Sequence, residues 1–185
     1  MPLLKPEQYS IADIYALPDG QRAELIHGQL YNMAPPGTLH QRMVLNLATE
    51  IRSYIKKHNG SCEIFPAPFA VFLNKDEKTY VEPDVCVICD KSKIDEKGCN
   101  GAPDFIIEVV SPSSRKMDYS TKNTLYSDAG VREYWIVDSR RKTVIVNYFE
   151  GNMLDIHYSF DSTIKVNIYD DLFINFSDIT ELLNI

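Results

Sequence analysis

Between positions 39 and 58 the apolar residues Val44, Leu47, Ala48, Ile51, Tyr54 and Ile55 recur at steps of three and four, the spacing that lines one face of an α-helix. Lys56 and Lys57 complement the dipole at its C-terminal end, and Asn59-Gly60 supplies the stop. A shorter helix is predicted over 11–17, capped by Ser10 and broken by Pro18-Asp19-Gly20. Between the two, AELIHGQLYNM alternates on either side of His27-Gly28 and predicts a β-hairpin, after which Pro35-Pro36-Gly37 breaks the chain. Strands are predicted over 62–65, 68–73, 85–89 and 105–110; the last two are nearly continuous apolar runs, as expected of strands covered on both faces. A second helix over 118–129 ends at Gly130, strands follow over 133–137, 143–149, 154–160 and 163–168, and a last helix spans 177–183. This order predicts a mixed α/β (α+β) fold in one domain over 1–185, without internal repeats.

Composition sharpens that picture only in places. Charged residues make up 24% and hydrophobic residues 44%, which suits a folded domain and excludes disordered or fibrous classes. No apolar run is long enough to cross a membrane and the start MPLLKPEQYS lacks a basic, then apolar, leader, so cytoplasmic residence without a membrane partner is the expectation. The net charge of −7 argues against a nucleic-acid partner until it is located: 150–185 carries seven acids against Lys165, which leaves 1–149 close to neutral. Cys86 and Cys89 have half the spacing of a zinc site, but residues three apart on a strand face opposite ways. Free buried thiols at Cys62, Cys86, Cys89 and Cys99 are therefore expected, in preference to a zinc module or a disulfide.

The chemistry starts from acids where a buried strand should have none. Glu108 follows Phe105-Ile106-Ile107 and precedes Val109-Val110, so its carboxylate requires a metal ion, a cation or strong hydrogen bonds to offset desolvation. With a period of two, Asp104, Ile106, Glu108 and Val110 share a face, but Asp104 and Glu108 lie about 13 Å apart along an extended strand, too far to share one ion. Asp84, opening the neighbouring strand, can join Glu108 if the register is right; the bland alternative is that Asp84 and Asp104 only cap strand entrances after proline. The second helix turns Tyr119, Lys122 and Tyr126 towards the sheet, which places Lys122 where it needs an anion, and the short link 111–114 can fold it over Glu108. Snorkelling to water is the bland reading of Lys122. Two carboxylates and a lysine suit metal-assisted phosphodiester hydrolysis: Asp84 and Glu108 holding Mg²⁺ or Mn²⁺, and Lys122 orienting or helping to deprotonate the attacking water.

Glu82-Pro83-Asp84, the run Gly101-Ala102-Pro103-Asp104-Phe105-Ile106-Ile107-Glu108-Val109-Val110-Ser111-Pro112-Ser113, then Asp118, Lys122, Tyr126 and Gly130-Val131-Arg132-Glu133-Tyr134-Trp135-Ile136-Val137-Asp138 resemble domain of unknown function 820, also called the Uma family. This is a bacterial group of restriction-endonuclease-like proteins in the PD-(D/E)xK nuclease superfamily, and the similarity runs from about Tyr9 to about Phe160. The resemblance implies a restriction-endonuclease-like core, a central mixed sheet flanked by helices, with Asp84 and Glu108 as the superfamily's two acids. The chain departs from the pattern at Val110, where the motif has lysine; Lys122 then stands as the migrated lysine. The resemblance also implies Glu24, before the hairpin turn, as an additional metal or water ligand.

The remaining candidates are less specific. His40, at the start of the long helix, is read first as making a local hydrogen bond and second as a phosphate contact. Tyr134-Trp135 is read as core. Arg140-Arg141-Lys142 is read as a solvated turn and, at the same time, as the chain's best patch for a nucleic-acid backbone. The expectation is a divalent-metal-dependent endonuclease acting on DNA, with a homodimer suited to double-strand cleavage. Its rival is a catalytically inactive nuclease fold that binds DNA or a protein.

Overall fold

The computed structural model describes residues 8–112 and 114–183; Ser113 of the motif run and residues 1–7 of the N-terminal start lie outside them. In chain order the elements are α1 (Ile11–Tyr15), β1 (Ala23–Ile26), β2 (Gln29–Asn32), α2 (Thr38–Lys57), β3 (Glu63–Pro66), β4 (Val71–Phe72), β5 (Val85–Ile88), β6 (Ile94–Asp95), β7 (Gly98–Asn100) and β8 (Phe105–Val109). Then come α3 (Lys122–Ala129), β9 (Glu133–Asp138), β10 (Thr143–Tyr148), β11 (Met153–Ser159), β12 (Thr163–Lys165), β13 (Phe173–Asn175) and α4 (Phe176–Leu183). The central sheet runs β11-β10-β9-β8-β5-β3. Its β8–β9 pair is parallel and its other pairs are antiparallel, so it is a mixed sheet flanked by helices, as expected from the sequence. A parallel pair needs a crossover, and α3 is that crossover.

The period of two along β8 divides the core. Phe105, Ile107 and Val109, with Val85, Val87, Trp135 and Val137, pack against Met43, Val44, Leu47, Ile51 and Ile55 of α2. Ile106 and Val110, with Cys86, Ile88, Tyr134 and Ile136, pack against Leu125 and Tyr126 of α3. Glu108 has the same parity as Ile106 and Val110, so it enters the α3 side of the sheet, where Lys122 also points. Tyr134 and Trp135 are fully buried.

Local signals behave as their chemistry dictates. Ser10 N–H and Oγ both bond Asp13 Oδ2, at 2.7 and 2.8 Å, and cap α1. His27 and Gly28 both have positive φ, the geometry of a tight hairpin turn between β1 and β2. Gly130 ends α3 in the left-handed region at φ 92°. Four expectations change. The strand predicted over 68–73 shortens to Val71–Phe72 in a separate small sheet with β7 and β6, because Pro68 has no N–H for a ladder. The strand predicted over 163–168 ends at Lys165, since Asn167 Nδ2 and the Ile168 N–H turn aside to Glu133, at 2.9 and 3.0 Å. β6, β7 and β13 were too short to show alternation. The second helix opens with a π-helical turn over Met117–Thr121 before α3 begins.

The cysteines are a further correction. Pairing of Glu63 with Ile88 places Cys62 opposite Cys89 one step beyond the ladder, and the two form a disulfide instead of remaining free thiols. Cys86 and Cys99 are free and buried. Cys86 belongs to the α3-side core while Cys89 packs on the α2 side, so the C-x2-C pair is split across the sheet and cannot chelate zinc together. Alkylation of the unfolded protein should therefore find two reactive thiols before reduction and four after it. Closing a separation of 27 residues, the bond should contribute about 3.5 kcal/mol, read as the drop in urea unfolding free energy on reduction.

Candidate active site

The register Val85↔Ile107 carries Asp84 opposite Glu108, where the antiparallel ladder of β5 and β8 ends. Asp84 Oδ2 accepts the Val109 N–H at 2.8 Å, and the Asp84 N–H lies 3.4 Å from Glu108 Oε2. His40, in the first turn of α2, reaches across the chain and places Nε2 3.1 Å from the same Asp84 oxygen. The local bond expected of this histidine is replaced by a contact over 44 residues. Burial works against charge on His40, but its bond to Asp84, the charge of that carboxylate and smaller contributions from Val109 and Asp118 together raise the imidazole pKa above its ordinary value.

Lys122 is buried with its ammonium between acids from three elements. Nζ lies 2.8 Å from Glu108 Oε1, 2.9 Å from Glu24 Oε1 and 3.8 Å from Asp118 Oδ1. Tyr126 OH donates to Glu108 Oε1 at 2.7 Å, one turn further along α3. Glu24 also accepts the Glu82 N–H at 3.1 Å, which fixes β1 against the segment leading to Asp84. Burial opposes the lysine's charge, yet Glu108, Glu24 and Asp118 together overcome it and hold the ammonium well above the usual lysine range. Burial pushes Glu108 well above the ordinary carboxylate range, with Lys122 pulling the other way. Burial likewise raises Asp118 to about 6 against the pull of Lys122.

The two opposed carboxylates share a pattern. Asp84 Oδ2 is held by Val109 N–H and His40, and Glu108 Oε1 by Lys122 and Tyr126. Among the described residues Asp84 Oδ1 has no donor, and Glu108 Oε2 has only the long contact to Asp84 N–H. Asp118 Oδ1 is a further buried oxygen without a hydrogen-bond partner there. Four carboxylates, Asp84, Glu108, Glu24 and Asp118, face one lysine and one histidine, so the cluster retains excess negative charge. A hard divalent cation fits this donor set: Mg²⁺ uses one or two carboxylates and keeps several waters. Among the described residues no group of three or more His, Cys, Asp or Glu is placed to hold a metal ion.

These groups line a cleft of about 760 Å³ together with Arg22, Arg140, Val110, the segment 33–37 and the first turns of α2. Arg22 pairs with Glu82, which Tyr80 also bonds at 2.6 Å, so Glu82 is neutralised outside the acid pair. Asp104 stands apart from the cluster, accepting the Cys89 N–H at 2.8 Å and Arg132 Nη1 at 3.2 Å, a structural role of the bland kind. Arg140 lines the cleft, whereas Arg141 and Lys142 sit on the same exposed turn outside its lining. Sequence reasoning assigned no role to Asp118, although it lies four residues before Lys122, the spacing that puts a carboxylate beside a lysine on a helix. The Asp84 contact of His40 had no local signal at all.

Asp118 carries a stability consequence with a definite sign. Its folded pKa of about 6 lies above the 3.8 of an ordinary aspartate, so the folded state holds the proton more tightly between those values. Its charge therefore costs stability fully above about pH 6, and the cost vanishes as pH falls to about 4. In EDTA, Asp118→Asn should gain on the order of 2–3 kcal/mol relative to the parent between pH 4 and pH 8, read by urea unfolding at both. A variant whose relative stability is flat with pH would contradict the placement of that carboxylate.

Comparison with known proteins agrees with this architecture. Residues 6–168 match the Uma2 family, described as "Putative restriction endonuclease". An uncharacterized protein, slr1290 of Synechocystis sp., is 25% identical over 160 residues, covering 85% of this chain and 81% of its own length. A crystal structure described as a putative nuclease belonging to DUF820, from Anabaena variabilis, superposes with a TM-score of 0.76 at 20% identity, over 94% of this chain and 98% of the other. That likeness shows a nuclease fold, and the family match spans most of the chain: this protein belongs to the Uma2 family.

Proposed function

We propose that the protein is a divalent-metal-dependent phosphodiesterase of the PD-(D/E)xK type, an endonuclease whose substrate is DNA. The carrying observation is the pair of facing carboxylates, each with one oxygen anchored by two donors, while the second oxygen of Glu108 takes only the long 3.4 Å contact from the Asp84 N–H. Asp84 and Glu108 would hold Mg²⁺ or Mn²⁺; bound there, the ion would lower the pKa of a coordinated water and withdraw charge from the scissile phosphate. His40 and the Val109 N–H aim Asp84, and Tyr126 aims Glu108. Burial and Glu108 keep the Tyr126 phenol protonated, so it serves as a donor and not as a base. Lys122 is held cationic by its acids, which favours orienting water and stabilising phosphate charge over taking up a proton. Glu24 positions Lys122, and Arg140 at the cleft wall suits a polyanion. The family description and the nuclease fold support this reading. The closed Glu24–Lys122–Glu108 network also suits an inactive nuclease fold that uses it as a structural salt bridge, and metal affinity separates the two.

Supercoiled plasmid incubated with Mg²⁺, Mn²⁺ or EDTA should be nicked only with metal. Asp84→Asn and Glu108→Gln, checked for folding by circular dichroism, should each lower the rate by about 100-fold or more and weaken Mn²⁺ binding. Absence of both metal binding and cleavage at millimolar metal would end the nuclease reading. Lys122→Met should lose activity on a similar scale while still binding Mn²⁺. Because Val110 shares the Glu108 face and lines the cleft, adding Val110→Lys to Lys122→Met should restore part of the rate. No recovery, with Mn²⁺ binding intact, would count against a migrated lysine.

A further inference from the structure

Asp138 ends β9 with 1% of its surface exposed, and the reaction chemistry above makes no use of it. Its Oδ1 accepts the N–H groups of Arg140 and Arg141, both at 3.1 Å, which shapes the turn 139–142 between β9 and β10. Its Oδ2 accepts Tyr119 OH at 3.0 Å, pairs with Arg115 Nη2 at 3.1 Å and lies 4.0 Å from Arg141 Nε. The Arg141 guanidinium in turn sits over the Tyr119 ring, 5.8 Å from its centroid. One buried carboxylate thus ties a hairpin tip to the start of the α3 segment, drawing in the guanidinium groups of Arg115 and Arg141 and placing Arg140 through its backbone N–H. Lys116 and Lys142 flank them on exposed positions. In a chain of net charge −7 this is a concentrated cationic surface, and Arg140 and Ser139 extend it into the wall of the acid-lined cleft.

A lone carboxylate can neutralise only one of those arginines, so the surface stays positive while its geometry is fixed. Arg115 keeps 32% and Arg141 60% of its side chain open, which leaves guanidinium donors for a second partner. Planar donors in fixed orientation suit phosphate oxygens, which need bidentate contacts more than diffuse charge. We propose that Arg115, Arg140 and Arg141, organised by Asp138 as a positioning residue, clamp the sugar-phosphate backbone of DNA and lead it into the cleft. The proposal deepens the nuclease reading by assigning the substrate's docking surface, and it rests on that reading for the identity of the polyanion.

Binding is measured by fluorescence anisotropy in EDTA on a short DNA duplex, a single-stranded DNA and an RNA of the same sequence, across a range of salt. Cleavage does not enter, so failure of the clamp and failure of the catalytic assignment are separate results. A DNA probe should bind most tightly, and a preference for the RNA would overturn the assignment of the backbone to DNA. On that DNA probe, Arg115→Ala, Arg140→Ala and Arg141→Ala should each weaken affinity and lower the salt slope by about 1, the signature of one lost phosphate contact. Asp138→Asn is the decisive variant, because it adds a net positive charge. A surface acting by charge alone would bind more tightly, whereas the clamp should bind about fivefold more weakly once its arginines lose their anchor. Unchanged Mn²⁺ affinity in Asp138→Asn would show that the fold around the acid pair survives; if that affinity falls as well, the Arg141→Lys and Arg141→Ala pair decides, with partial retention expected only for lysine. Tighter binding by Asp138→Asn, or arginine variants that bind with the parent's affinity and salt slope, would overturn the proposal.

Discussion

A lysine ammonium sealed between three carboxylates is the constraint around which this half of the molecule is arranged. Lys122 has its partners on β1, on β8 and on its own helix, so its ion pairs draw a hairpin, the central sheet and the crossover helix to one point. None of these charges tolerates burial alone, and each becomes acceptable because the others are there. Removing Lys122 would leave Glu108 and Glu24 without their cation in a low-dielectric core, so that position resists substitution more than a hydrophobic contact of similar size.

That arrangement also explains why the site has something left to do. Lys122 offsets part of the acid charge and anchors one oxygen of Glu108, while His40 and a backbone N–H anchor one oxygen of Asp84. What remains is excess negative charge on two carboxylates that line the cleft at the end of a ladder. The raised pKa values of Glu108 and Asp118 come first from burial, with the neighbouring acids adding to it and Lys122 pulling the other way. A buried acid cluster that is only partly neutralised is a common way for a fold to keep a site ready for a cation.

The rest of the structure holds this geometry in place. Apolar residues on the α2 side lock the register of β5 and β8, since a slip by one residue would move Glu108 into the packed face occupied by Phe105 and Ile107. The Cys62–Cys89 disulfide ties the outer strand β3 to β5 on the other end of the same ladder. Asp138 plays a parallel part at the cleft mouth, where one buried carboxylate organises cations as Lys122 organises acids. The fold thus uses two buried charges of opposite sign, one in the cleft and one at its edge.

Much of this was legible in the amino-acid sequence because it depends on periodicity within a single element. The apolar stripe of the long helix, the parity that puts Glu108 and Val110 on one face, and the inward Lys122 all follow from local spacing, and the structure reproduces each. Glu108 stood out because an acid inside an apolar strand has no inexpensive explanation. Contacts between distant segments could not be read in this way. The pairing of Asp84 with Glu108 needed a register, the bond of His40 to Asp84 a packing angle, and the Cys62–Cys89 bridge the alignment of two strands. Short strands such as β6, β7 and β13 hold too few residues to show a period, and the strand after Thr163 ended early because a distant Glu133 drew its backbone away. The sequence by itself determined which faces are apolar and which charges must be buried; only the tertiary structure decided which of those charges meet, because spacing along a chain carries no information about distance across it.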